Sequence, residues 1–289
     1  MDQPLSAKMR TPFLVLTAAL LAVSVTHPAA AQVGSGNSPD AATERGLEQY
    51  RRMLKDDPWS NPGLLDADRG EALWKTARGP KNATLEACDL GKGPSVVDGA
   101  FAELPRYFAD ADRVQDVETR IVWCMEKLQG LTRAEALKPP YPSGGQPVGD
   151  AGAIATFIAS KSHGKTFAAK LDHAKEKEAF ALGETLFFRR QGPMDFACAT
   201  CHADSGKRIR LQELPFLSRP EEAKKVIGEW PAYRVSSTHV MTMTHRIYDC
   251  FWQMRLPRVE YGSDVTIALT SYLVQKAAGG EITAPAIKR

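Results

Sequence analysis

"GETLFFRRQGPMDFACATCH" runs from Gly183 to His202 and closes on Cys198-Ala-Thr-Cys201-His202. C-x-x-C-H carries a mechanism. Two thiols form thioethers with the vinyl groups of a porphyrin, and the adjacent imidazole becomes an axial ligand of its iron. A zinc site would want further ligands of matching spacing, and the chain has no second C-x-x-C. The motif therefore predicts one covalently bound haem c, attached through Cys198 and Cys201, with His202 as the proximal iron ligand.

The same stretch has a counterpart upstream. "GEALWKTARGPKNATLEAC" from Gly70 aligns on it without gaps at an offset of 113 residues, sharing G-E-x-L and a Gly-Pro pair. Under this alignment Cys88 falls on Cys201, Leu85 on Cys198 and Asp89 on His202. The first copy reads as a C-x-x-C-H that has lost two of its three residues. A second block, Leu104 to Leu128, aligns on Trp230 to Met254 at an offset of 126 residues, and brings Arg120-Ile121 onto Arg246-Ile247 and Cys124 onto Cys250. Val114, Val117, Ile121, Cys124 and Leu128 recur as Val240, Met243, Ile247, Cys250 and Met254, a spacing that puts each set on one helix face. "GDAGAIATFIAS" from Gly149 and "GSDVTIALTSYL" from Gly262 read as Asp-initiated apolar helices closing their halves. The expected fold is mainly α, with two tandem cytochrome-c-like domains over residues 32–165 and 166–289, the first without haem.

The leader sets the compartment. Lys8 and Arg10 precede an uncharged run from Thr11 to Val25, followed by small residues at Ala29 and Ala31, the pattern of a secretory signal peptide over residues 1–31 cleaved after Ala31. The apolar run is short for a span of roughly 20 residues, so no membrane span is expected in the mature chain. Of the net charge of +3, the leader supplies +1 (Lys8 and Arg10 against Asp2), leaving a nearly balanced mature protein without a basic run. That excludes nucleic acid as the main partner.

Five cysteines less two thioethers leave Cys88, Cys124 and Cys250 in an oxidising space. Cys250 has three readings: a buried free thiol, an intermolecular disulfide, or a distal iron ligand that is also reactive. Met241, Met243, Met254, His239 and His245 compete for the iron. Arg246 precedes Cys250 by one helical turn, so guanidinium and sulfur share a face. A nearby cation favours the thiolate, and a planar five-donor fork suits an oxyanion such as a sulfonate. Arg255 and Arg258 add positive charge, or pair with haem propionates. If Cys250 approaches the iron, the repeat brings the equivalent cysteines of the first half together, as a disulfide between Cys88 and Cys124.

With the C-x-x-C-H in the second of two tandem halves, "RIYDCFWQMR" from Arg246 to Arg255 makes the chain resemble the SoxA family. Its members are catalytic subunits of an L-cysteine S-thiosulfotransferase of bacterial thiosulfate oxidation. The resemblance implies the single-haem branch, in which a disulfide occupies the first half. It implies Cys250 as axial thiolate and persulfide-bearing catalytic residue, and Arg246 as the substrate-binding residue. It also implies a periplasmic heterodimer with a SoxX-like monohaem cytochrome c, which joins thiosulfate to a cysteine of the SoxYZ carrier complex and passes two electrons to c-type cytochromes. Two rivals remain: a thiosulfate dehydrogenase forming tetrathionate, which usually needs a second haem in its own chain, and a plain electron-transfer cytochrome with a methionine on the iron.

Overall fold

In each half the chain returns to pack a late helix across an early one, and the crossing is possible only at a glycine. The computed structural model describes residues 60–209 and 212–288, with a few isolated positions between 45 and 53; the leader and its cleavage site lie outside the described residues. The elements follow as α1 (Pro62–Lys75), β1 (Arg106–Phe108), β2 (Arg113–Gln115), α2 (Val117–Cys124), α3 (Arg133–Ala136), α4 (Asp150–Ser160), α5 (Ala174–Phe188), α6 (Cys198–His202), β3 (Arg208–Ile209), β4 (Gln212–Glu213), α7 (Pro220–Val226), β5 (Ala232–Arg234), β6 (His239–Met241), α8 (Met243–Gln253), α9 (Asp264–Lys276) and β7 (Ala286–Lys288).

α1 packs on α4, and α5 on α9. A Cβ at Gly70 would lie 2.1 Å from the Ala153 carbonyl oxygen, and one at Gly183 would lie 2.0 Å from that of Ala268. Any side chain would push the helices apart. These are the glycines that open the two G-E-x-L motifs, so the sequence repeat is a repeated backbone contact.

The second block repeats as faithfully. β1 pairs with β2 in the register Arg106↔Gln115 and Phe108↔Arg113, and β5 with β6 in the register Ala232↔Met241 and Arg234↔His239. Both hairpins follow a short 3-10 turn and a cis X-Pro bond, and both turn through a left-handed residue, Asp112 and Thr238. The halves then diverge. β7 joins β5 in parallel to make a three-stranded sheet, and after Cys124 the first-half helix widens into a π-helical stretch, Met125–Gln129. The helix count matches the mainly α expectation; the short strands were not foreseen, because runs of three residues show no period.

The described residues from 60 onward pack as one compact unit around two main apolar cores. One gathers Trp74, Leu85, Ile121, Ile154 and Phe157; the other Phe187, Ile247, Phe251, Leu269 and Tyr272. Cys88 and Cys124 are bonded to each other inside the first core, with their Cα atoms 5.8 Å apart and a sequence separation of 36. No helix among the described residues is long and apolar enough to cross a membrane.

Two outcomes are expected. Replacing both Cys88 and Cys124 by alanine lowers unfolding free energy by about 4 kcal/mol, the loop-closure contribution of a crosslink of this length, as read from denaturant titration under non-reducing conditions. Gly183→Val lowers the melting temperature sharply by overpacking the α5–α9 crossing, a cost of about 3 kcal/mol or more, whereas the same change at Gly93, whose Cβ direction is open but whose φ is positive, carries only the backbone strain.

Candidate active site

α6 is a single turn. Ala197 is extended, and its N–H donates to Thr200 Oγ1 at 2.9 Å, which starts the helix at Cys198. Before it, a bridge between Gln191 and Phe196 around Gly192 reproduces the bridge between Arg78 and Ala83 around Gly79 in the first half. His202 Nδ1 lies 2.9 Å from the carbonyl oxygen of Pro215. A carbonyl only accepts, so Nδ1 carries the proton and Nε2 keeps its lone pair, the tautomer a metal ligand requires. Burial, ahead of the Arg246 charge, lowers the His202 pKa and keeps the ring neutral.

α8 starts on Thr242, whose Oγ1 accepts from His245 N–H at 3.2 Å. One turn apart on it stand Arg246 and Cys250. The guanidinium donates through Nη1 to Asp249, and Gln253 Nε2 donates to the same carboxylate oxygen at 3.0 Å. The Cys198 thiol is pushed up to about 12 by burial, with the charges of Cys250 and Cys201 adding to it. Cys250 in turn feels Cys201, Arg246, Asp249 and Arg234. The structure therefore brings the three motif residues of α6 into the field of Arg246 and Cys250 on α8. The balance at Cys250 differs from the sequence expectation in sign: burial raises the thiol pKa and outweighs the lowering by Arg246, with Arg234 a further lowering influence.

The residues fit a haem. Two cysteines in no disulfide and a histidine whose Nε2 lone pair is available share the single turn of α6, and Leu182 and Phe188 of α5, Met194 just before the motif and Ile209 just after it are large apolar side chains that are exposed. Phe187 is buried against Tyr272, with ring centroids 4.9 Å apart, and Phe196 packs on the same core. The rival ligands separate. His239 and His245 stack on each other at 5.5 Å, His245 beside Tyr141, and Met241 joins a small cluster with Trp230 and Ala232. Met254 lies in the core that borders Cys198 and Met243 packs against the same core, so these two are the competitors a distal-ligand measurement must address. Arg255 lies over the Trp252 ring at 4.9 Å. Arg258 lines a cleft of about 530 Å³ with Ser236, Asp249 and Trp252.

Two residues of the site escaped sequence reading. Asp249, three residues after Arg246, was legible from helical spacing. Glu118 was not, because it reaches α8 from the first half. It is buried, and it accepts from the Thr244 N–H in the first turn of α8 at 3.1 Å and from the Tyr261 hydroxyl. Burial pushes its carboxyl up to about 7, the neighbouring Asp116 charge adds to the rise, and the donors pull the other way.

This architecture defines a class: a helical cytochrome c protein with a thiol and an arginine beside its haem motif. A family model described as the SoxA/TsdA cytochrome c domain matches residues 69–167. The chain is 44% identical to the L-cysteine S-thiosulfotransferase subunit SoxA of Hydrogenophilus thermoluteolus over 95% of its own length and 98% of that protein. It is 36% identical to the SoxA subunit of Hydrogenobacter thermophilus, covering 83% and 88% of the two chains. A chain of the crystal structure of SoxXA from P. pantotrophus has the same fold, with a TM-score of 0.68 at 22% identity over 83% of this chain and 84% of that one. The chain belongs to the SoxA family. It is an L-cysteine S-thiosulfotransferase subunit of sulfur oxidation, and its cytochrome c domain implies haem c.

The Glu118 environment predicts a pH dependence. Its folded pKa of about 7 stands above the ordinary 4.5, so the fold favours the protonated carboxyl. That contribution to stability is full below about pH 4.5 and is lost as pH rises through about 7. Glu118→Gln, which stays neutral and keeps an acceptor for Thr244, is expected to flatten the fall in unfolding free energy across this window, as measured by denaturant titration at several pH values.

Proposed function

We propose that this chain is the catalytic subunit that oxidatively conjugates thiosulfate to a cysteine of the carrier SoxY, within SoxYZ. The observation that carries the reading is the pairing on α8 of a half-buried thiol with an arginine one turn away, facing the C-x-x-C-H helix. In the first half the equivalent cysteine is consumed by a disulfide. One haem c would be held by thioethers to Cys198 and Cys201, and His202 and Cys250 would bind its iron. When bound, the haem supplies an acceptor for one electron. With one haem per chain, a SoxX-like monohaem cytochrome c, the heterodimer partner, would take the second electron, and c-type cytochromes would accept both. The name of the solved SoxXA complex supports that partner.

Arg246 brings the thiosulfate dianion to the sulfur of Cys250. A disulfide bond forms between the Cys250 sulfur and the outer sulfur of thiosulfate, with loss of two electrons. The carrier's cysteine thiolate then attacks that outer sulfur, the bond to Cys250 breaks, and the product is a cysteine S-thiosulfonate on the carrier with Cys250 returned as thiolate. Buried surroundings keep the thiol protonated until a cation or a metal compensates the charge, which protects it from indiscriminate oxidation. The division into residues 32–165 and 166–289, the periplasmic location and signal cleavage after Ala31 belong to the same reading, and the repeated helix crossings support the first of these.

In an assay with thiosulfate, the carrier complex and the partner cytochrome, Cys250→Ser is expected to abolish conjugation. Arg246→Lys is expected to lower kcat/KM by about tenfold to a hundredfold through loss of the planar fork. Tetrathionate formed without any carrier protein would overturn this reading in favour of a thiosulfate dehydrogenase. A haem spectrum unchanged in Cys250→Ser but altered in Met254→Leu would overturn the thiolate ligand.

A further inference from the structure

The first half contains a second version of the arginine site, and there every partner of the guanidinium is on view. Arg120 stands where Arg246 stands, 126 residues earlier. It is 2% exposed. Its Nη1 and Nη2 donate to the two oxygens of Asp110 at 2.8 and 2.9 Å, its Nη1 also reaches Gln115 Oε1 at 3.3 Å, and its Nε donates to the carbonyl of Asp89 at 2.6 Å. The rings of Phe108 and Trp123 lie 4.0 and 4.4 Å from it. This is a fork closed on a bidentate oxyanion.

The shared hairpin register carries the comparison into the second half residue by residue. Asp110 becomes Ser236, Phe108 becomes Arg234 and Trp123 becomes Asp249. Where the first half closes the fork with its own carboxylate, the second offers a hydroxyl. Where the first half stacks a ring, the second has another cation. Arg246 has a single carboxylate contact, through Nη1 to Asp249. Ser236 is exposed, and it lines the cleft of about 530 Å³ together with Asp249.

We propose that Asp110 marks, by internal symmetry, where the anion sits, and that Ser236 is a substrate-positioning residue, donating its hydroxyl to a sulfonate oxygen of thiosulfate held by Arg246. The assignment rests on the thiosulfotransferase reading above and extends it by one residue. A neutral hydroxyl at this turn leaves the fork accessible to a dianion; a carboxylate there would occupy it from within and repel the substrate.

The test compares Ser236→Asp with its neutral isostere Ser236→Asn in the haem-loaded complex. The turn accepts aspartate, since Asp110 occupies the same position in the first half. Ser236→Asp is expected to raise KM for thiosulfate about tenfold or more over Ser236→Asn, with the haem absorption spectrum unchanged in both. Equal KM values for the two variants would overturn the proposal. Asp110→Ala provides a readout independent of activity, because it opens the fork of Arg120. Sodium sulfate is expected to raise the melting temperature of this variant by more than it raises that of the unsubstituted protein, whose response reports the general salt effect together with the Arg246 site that both proteins share. An equal response in both would overturn Asp110 as an anion surrogate. An unsubstituted complex without thiosulfate turnover would refute the thiosulfotransferase reading and this proposal with it, whereas turnover with equal KM values in the two Ser236 variants refutes the proposal alone.

Discussion

Gly70 against the Ala153 carbonyl and Gly183 against the Ala268 carbonyl are the contacts on which the rest of the structure depends. Backbone-to-backbone approach at these points leaves no room for a Cβ, so each helix pair has one crossing point. From there the chain has a set distance to run. After α1 it reaches Cys88, and after α5 it reaches Cys198, Cys201 and His202, in each case facing the helix that carries the second cysteine. The loop between uses a left-handed glycine and a short bridge in both halves. A cytochrome c site is in this sense a consequence of where two helices touch.

On this common scaffold the halves solve opposite electrostatic problems. The first neutralises its arginine internally and closes its cysteines on each other, leaving a buried, satisfied core. The second joins none of its three cysteines in a disulfide and has a guanidinium with one carboxylate contact. Burial there raises the Cys250 thiol more than Arg246 and Arg234 lower it, because taking a charge out of water costs more than a partly screened cation returns. Nor is the first half a mere spacer. Through Glu118 it holds the first turn of α8 by a side chain that has no counterpart of the same chemistry in the second half, where the equivalent residue is Thr244 itself.

What could be read along the chain was whatever depends on neighbours in sequence. C-x-x-C-H is contiguous because one porphyrin edge demands it. Arg246 and Cys250 are four apart because a helix turn is 3.6 residues, and the repeated apolar spacing announced helices on both sides. Comparing the halves even paired Cys88 with Cys124, since a repeat converts sequence offset into spatial correspondence. Strands of two or three residues left no periodic trace, and the leader falls outside the described residues.

Long-range chemistry needed the tertiary structure. That the proton of His202 sits on Nδ1 follows from Pro215, thirteen residues away. That Asp110 fills the fork of Arg120 depends on a hairpin turn folding back over a helix, and that Glu118 touches Thr244 depends on two helices 126 residues apart. The sequence by itself determined the helices, the haem motif, the repeat and the arginine–cysteine pair, all set by local spacing. Only the fold decided which charges are buried together, and with that the protonation of the thiols and the donors left for a substrate, because desolvation and Coulomb interaction depend on distance in space and on exclusion of water.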